Sequence, residues 1–207
     1  MLPYTPLHHL LMHEVDEAIV LTSGNPSAEP LCIDNVQTVD RLGPFVDGFV
    51  THDRPIVRPC DDSVVRVTGP VGGRITQPIR RSRGYVPLPV LLPETYSLEA
   101  PIVATGGDLK NASALAFDRS VFLTQHIGDL AHPRMRTLQS ESICTLETMF
   151  KAEARVAVCD LHPGYVSAHY AEDLAASRDL PLDRVQHHHA HIAGRSTRIA
   201  RMMRVRS

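Results

Sequence analysis

Apolar positions along this 207-residue chain fall into short runs of two kinds. Leu7, Leu10 and Leu11 recur at helical spacing, and with Thr5 as a cap and Pro6 at the first helical position they predict a helix within residues 3–15. Ala18, Ile19, Val20 and Leu21 form a continuous apolar run, which predicts a buried strand. Residues 35–42 read as a short helix and 48–50 as a strand. A polar turn then leads into a β-branched strand over residues 64–67, and residues 79–85 read as a basic edge segment. Three prolines between Pro87 and Pro93 mark a linker, which places a domain boundary there. Beyond it the pattern restarts, with strands at 102–104, 112–117 and 121–123 in hairpin-like succession and a helix at 137–151. A strand at 156–159, a helix from about Ser167, a strand at 182–185 and a final histidine-rich helix complete the chain. Strands followed by alternating strand and helix predict an α/β (α+β) chain with domains at 1–93 and 94–207.

Composition changes this picture little. Charged and apolar fractions are those of an ordinary globular protein, and a net charge of −2 gives no overall nucleic-acid footprint. Two local basic clusters stand out: Arg74, Arg80, Arg81 and Arg83, and a tail containing Arg195, Arg198, Arg201, Arg204 and Arg206. Cys32, Cys60, Cys144 and Cys159 are scattered without a CxxC pair, which predicts reduced thiols in a cytoplasmic protein. No apolar run approaches the about 20 residues of a membrane span, so no membrane association is expected.

The densest candidate chemistry is Gln186-His187-His188-His189-Ala190-His191. On a helix, residues four apart share a face, so His187 and His191 together could hold one divalent ion while His188 and His189 point elsewhere. Imidazole suits several metals and two ligands are fewer than a catalytic site needs, so the spacing alone balances a metal site against a histidine-rich surface turn. Thr22-Ser23-Gly24-Asn25-Pro26-Ser27, at the end of the expected first strand, offers hydroxyls, an amide and backbone N–H groups to an anion or nucleotide, or is an ordinary turn. The arginines near Gly84 have the fork geometry that grips phosphate, although a solvated basic edge accounts for them nearly as well. Asp61 and Asp62, adjacent in sequence, point to opposite faces if extended and so do not share one ion. Gly106-Gly107 permits close approach of a phosphate, a weak signal taken alone.

Several stretches taken together carry more. Residues 2–11 (LPYTPLHHLL), 22–27 (TSGNPS), 58–64 (RPCDDSV), 80–87 (RRSRGYVP), 106–111 (GGDLKN), 125–130 (QHIGDL), 159–165 (CDLHPGY) and 185–191 (VQHHHAH) resemble, in order, the HypF carbamoyltransferases of nickel–iron hydrogenase maturation. The resemblance runs from residue 1 to about 194. It implies a partial YrdC-like domain followed by a partial Kae1-like domain of the actin-like ATPase superfamily. It further implies that carbamoyl phosphate and ATP, with Mg2+, yield a carbamoyl-adenylate, and that the carbamoyl group passes to the C-terminal cysteine of a HypE-type partner. By the same resemblance Ser23, Asn25 and Ser27 match the nucleotide- and acyl-contacting loop of YrdC-like domains. Ser63 and Arg81 or Arg83 match later phosphate-contacting positions, and His187 and His191 match the metal-binding pair, with iron or zinc as the expected ion.

The family pattern would also place an acylphosphatase domain, zinc-finger modules and the first half of the YrdC-like domain before Met1. It would place the remainder of the Kae1-like domain after Gly194, where this chain has an unmatched basic tail from about residue 195. The resemblance therefore implies a truncated product that carries neither adenylation nor transfer activity by itself. Rival expectations are an O-carbamoyltransferase acting on a small molecule, a non-catalytic binding remnant that docks on a maturation partner, and a double-stranded RNA binder. The near-neutral charge ranks the RNA reading last.

Overall fold

The computed structural model describes residues 3, 5–27, 29–70 and 73–194, so the basic tail lies outside the described residues. The chain begins with helix α1 (Pro6–Val15), where Thr5 accepts a hydrogen bond from the His8 N–H and Pro6 takes the first turn. Helix α2 (Asn35–Leu42) is capped by Asp34, whose carboxylate accepts from the Gln37 N–H at 2.8 Å, and runs into a 3-10 turn at Gly43–Phe45. Both helices lie within the stretches read as helical, and the cap expected at Thr5 is formed.

Two expected strands do not form. Residues 18–21 and 48–50 are irregular, and Val20 and Val50 are 92% and 91% exposed. A continuous apolar run becomes a strand only when a neighbouring strand supplies the ladder and a second layer covers the side chains. No described segment does either for these runs. The strands that do form in this region, β1 (Val64–Thr68) and β2 (Ile75–Arg80), make a two-stranded antiparallel hairpin with an irregularity between Val64 and Val65. Every residue of β1 is exposed, and a hairpin of this size without a covered face is marginal on its own.

The remaining strands build one mixed sheet in the order β3-β6-β5-β4-β7-β8. They are β3 (Val90–Leu91), β4 (Leu98–Ala104), β5 (Ala114–Asp118), β6 (Ser120–Leu123), β7 (Val156–Asp160) and β8 (Leu182–Val185). Strand β3 arises within the proline-rich stretch and pairs with β6, so that stretch contributes an edge to this sheet. Strands β3, β6, β5 and β4 run antiparallel, whereas β4, β7 and β8 run parallel. The parallel steps are made possible by helix α3 (Pro133–Phe150) before β7 and helix α4 (Val166–Arg178) before β8, crossovers long enough to return the chain to the same end of the sheet.

Burial is concentrated here. Val103 of β4 and Ala157 of β7 pack with Ile143 of α3 and with Leu174 and Ala175 of α4. Leu115 and Phe122 pack with Leu146 and Ala152, and Phe117, Phe122 and Phe150 form an aromatic cluster in which Phe117 stacks on Phe122. Glu147, buried in α3, accepts from the Ala154 N–H and from two nitrogens of Arg178, which ties α3 to the end of α4. Beyond β8, residues 187–194 form a last helix, α5, immediately after Gln186.

Among the described residues, no buried hydrophobic side chain precedes Val103. Truncating Leu115, fully buried, to alanine should therefore cost about 2–5 kcal/mol of unfolding free energy. Val50→Ala, at an exposed site, should stay within about 0.5 kcal/mol of the parent. Urea unfolding of the two variants checks this, and equal losses would place a second core in the first 60 or so residues.

Candidate functional site

The parallel register decides what meets at one end of the sheet. Ile102 pairs with Val156 in β4–β7, and Asp160 with Val185 in β7–β8. Asp160, the last residue of β7, therefore lies beside the exit of β8, two residues before His187. The His187 Nδ1 reaches Asp160 Oδ2 at 2.6 Å, while the other oxygen, Oδ1, accepts the His162 backbone N–H at 2.9 Å. The Asp160 side chain is 8% exposed. Burial works to raise its pKa, but the hydrogen bonds from His187 and His162 and the proximity of both imidazoles outweigh it, so the carboxyl sits below its ordinary range.

On α5 the expected helical spacing is realised. His191 Nε2 lies 3.1 Å from His187 Nε2 and the ring centroids are 4.7 Å apart. His188 turns away, its Nδ1 meeting the Gln186 side chain at 2.9 Å. With metal–imidazole bonds of about 2.0–2.1 Å, two ligand nitrogens on one tetrahedral ion stand about 3.3 Å apart, close to the separation seen here. The pair therefore fits a shared divalent ion. No group of three His, Cys, Asp or Glu side chains able to hold a metal occurs among the described residues. Asp160 does not complete such a set, because it binds the opposite edge of the His187 ring.

The loop after β4 comes up against this pair. A β-carbon built on Gly107 would lie 3.7 Å from both His187 Cε1 and Tyr165 Cε2. At Gly106, with φ +73°, it would lie 2.6 Å from the Ala112 carbonyl oxygen, so only glycine fits. A buried network fixes the loop: Asn111 Nδ2 donates to the Thr105 and Gly107 carbonyls at 2.8 and 2.6 Å, and Gln139 Nε2 of α3 donates to the Thr105 carbonyl at 2.9 Å. Asp108 then accepts the Val166 and Ser167 N–H groups, at 2.8 and 2.9 Å, capping α4 from a distant part of the chain. Tyr165 stacks on His162 and meets His187 edge-on.

The expected nucleotide-side residues are dispersed. Ser23 and Asn25 line a cavity of about 90 Å³ together with Asp61, Gln125, His126 and Met135. Asn25 Nδ2 donates to the Pro26 and Glu29 carbonyls, folding its loop on itself, and Ser27 is exposed. Ser63 accepts the Ser82 N–H and donates to the Arg83 carbonyl, both at 2.8 Å. Arg81 donates to the Tyr85 and Leu88 carbonyls, and Arg83 donates to the Cys60 carbonyl and lies 3.5 Å from Asp62. Asp61 lies 3.7 Å from Arg80. These side chains brace the hairpin ends and do not converge on one point.

Sequence reasoning missed Asp160, Asp108 and Gln139 as site residues. A signal existed for Gln139, which interrupts the apolar face of α3, whereas the role of Asp160, at the end of β7, follows from a strand pairing that no local pattern states.

His126, on the cavity wall, has its pKa lowered by burial and by the positive charges of Arg80 and Lys110, against the opposing effect of Asp61. The folded state thus favours the neutral ring. Stability from this group is complete above the unfolded value of about 6.5 and is lost as pH falls through the lower folded value. His126→Gln should flatten the loss of stability between about pH 7 and pH 5. Urea midpoints across that range measure it, and an unchanged acid limb would contradict the assignment.

Comparison with known proteins gives two family matches within the chain. Residues 97–196 match the family model described as the HypF Kae1-like domain, and residues 1–82 match the YrdC-type model described as telomere recombination. The chain is 43% identical over 192 residues to the carbamoyltransferase HypF of Synechocystis sp. and 42% identical over 201 residues to that of Rhizobium leguminosarum bv. viciae. Each alignment covers 93% of this chain, and respectively 24% and 25% of the relative. Among solved structures, full-length HypF in a phosphate- and nucleotide-bound form superposes with a TM-score of 0.82 at 42% identity, over 93% of this chain and 29% of that one. HypF of T. kodakarensis gives 0.81 at 36% identity, over 93% and 25%. The chain thus spans about a quarter of the length of the curated relatives it matches. On sequence and fold together, this chain belongs to the HypF family.

Proposed function

We propose that this chain forms part of a carbamoyltransferase of the HypF type, with a YrdC-like unit over residues 1–93 and a Kae1-like unit over 94–207. In this reading carbamoyl phosphate and ATP, with Mg2+, are the substrates. Water first cleaves carbamoyl phosphate to carbamate and inorganic phosphate; a carbamate oxygen then attacks the α-phosphorus of ATP, the bond to the β-phosphate breaks and pyrophosphate leaves. The C-terminal thiolate of a HypE-type protein then attacks the carbamoyl carbon: a C–S bond forms, the C–O bond to the phosphoryl group breaks, and AMP departs with the electron pair.

The observation that carries this reading is the pair of His187 and His191 nitrogens 3.1 Å apart, beside a glycine loop, in a chain whose relatives are carbamoyltransferases by name. An iron or zinc ion held by the pair would supply Lewis-acid polarisation of a phosphoryl or carbonyl oxygen. The chain itself contributes orientation. Gly107 leaves room beside His187 that a side chain would fill, and the Asn111–Gln139 network holds that loop in place before any ligand arrives. Ser23, Asn25 and Ser27 are assigned to the nucleotide and carbamoyl group. Ser63, Arg81 and Arg83 are assigned to phosphate, a role that requires the arginines to exchange backbone carbonyls for ligand oxygens. Among the described residues, no helix is long and apolar enough to cross a membrane.

Transfer is tested in a chimera in which residues 1–194 replace the matching quarter of the Synechocystis relative. The chimera is expected to carbamoylate a HypE-type cysteine, read by mass spectrometry, and the double variant His187→Ala, His191→Ala should lower kcat about 10²–10³-fold, the scale of losing one preorganised charge-stabilising group. A folded chimera without transfer would overturn the proposal. The chain alone is expected to release no pyrophosphate from ATP and carbamoyl phosphate, since Ser23 and Ser27 are exposed and Ser63, Arg81 and Arg83 are engaged with backbone groups without converging on one point. Release above the protein-free rate would contradict that.

A further inference from the structure

We infer that Asp160 is a positioning residue that sets the tautomer of His187, so that the nitrogen facing His191 presents a lone pair. The inference rests on the metal reading of the histidine pair and adds to it a residue that touches no ligand. An ionised carboxylate can only accept, so the 2.6 Å contact with Asp160 Oδ2 places the proton on His187 Nδ1 and leaves Nε2 bare. Only a bare nitrogen can coordinate a cation. Tyr165 meets the same ring edge-on, with the centroids 6.3 Å apart, so the ring is oriented by a second neighbour besides Asp160.

The second oxygen of Asp160 makes the inference specific. Oδ1 accepts the His162 backbone N–H at 2.9 Å, and a backbone N–H can only donate. In Asp160→Asn the amide oxygen must therefore take the Oδ1 place, which turns the NH2 toward His187 Nδ1. That NH2 donates, so the ring is driven to carry its proton on Nε2, where it blocks the ion. Asparagine, nearly the same shape as aspartate, is thereby the more damaging replacement. Alanine merely removes the preference, leaving both tautomers accessible.

The experiment titrates Zn2+ into the full chain by calorimetry, with imidazole-labelled protein examined in parallel by long-range proton–nitrogen NMR. Asp160→Ala should weaken binding about 10–100-fold, the usual cost of losing a partner behind a metal-bound histidine, and Asp160→Asn should weaken it further. In metal-free protein the spectra should show His187 protonated on Nδ1 in the parent and on Nε2 in Asp160→Asn. Asp183→Asn, at an exposed position on β8, serves as the neutral control. Thermal unfolding of each variant separates lost positioning from lost fold. Asp160→Asn that binds Zn2+ like the parent, or that keeps the proton on Nδ1, overturns the inference. Equal Zn2+ binding by the parent and by His187→Ala would instead sink the metal reading. The tautomer is read without metal, so it still decides the role of Asp160 in that case.

Discussion

The parallel pairing of β4, β7 and β8 is the constraint on which everything else in this chain depends. Parallel strands end on the same side of a sheet, so the residues that follow them are brought together whatever their distance in sequence. Here those residues are Gly107, Asp160 and His187. Register matters as much as direction. A slip of one residue between β7 and β8 would move every side chain of β8 to the other face and carry His187 away from Asp160. What resists a slip is burial: Ala157 and Cys159 point into the core against Ala168, Ala171 and Leu174, while Leu182 packs against the same residues from β8.

Once the sheet is set, the loops at its end are held by polar groups that have no access to water. Asn111, Ser113, Thr105 and Gln139 are all essentially buried, and their hydrogen bonds close on one another. A buried polar group without a partner costs about 1–3 kcal/mol, so a network in which each member satisfies another tolerates few alternative arrangements. Asp108 extends the same logic outward by capping α4, which links the glycine loop to the helix that also carries Tyr165 at its start. The first 60 or so residues have no comparable support. Their loops are held by contacts such as those of Asn25, and their apolar side chains are exposed or at most half-buried among the described residues.

Elements with strong local signals were legible in the sequence, and those that depend on distant partners were not. Thr5 announces α1, because a cap acts within a few residues, and β8 forms at 182–185, where the sequence reading places a strand. Residues 18–21 and 48–50 are more apolar than β8, yet a strand needs a ladder that nothing local specifies. The histidine spacing gave the facing of His187 and His191, which helix geometry alone determines. Asp160 was hidden because its role comes from register between two strands separated by a whole helix. Family resemblance supplied names for Ser63, Arg81 and Arg83, but their present hydrogen bonds go to backbone groups, a fact no motif encodes.

The most direct test of this account is anomalous diffraction at the zinc edge from crystals of the chain grown with Zn2+. One peak about 2.1 Å from both His187 Nε2 and His191 Nε2, with Asp160 remaining on His187 Nδ1, is the predicted result. A peak bound through Asp160 or through His188 and His189, with the His187–His191 pair left empty, would contradict it.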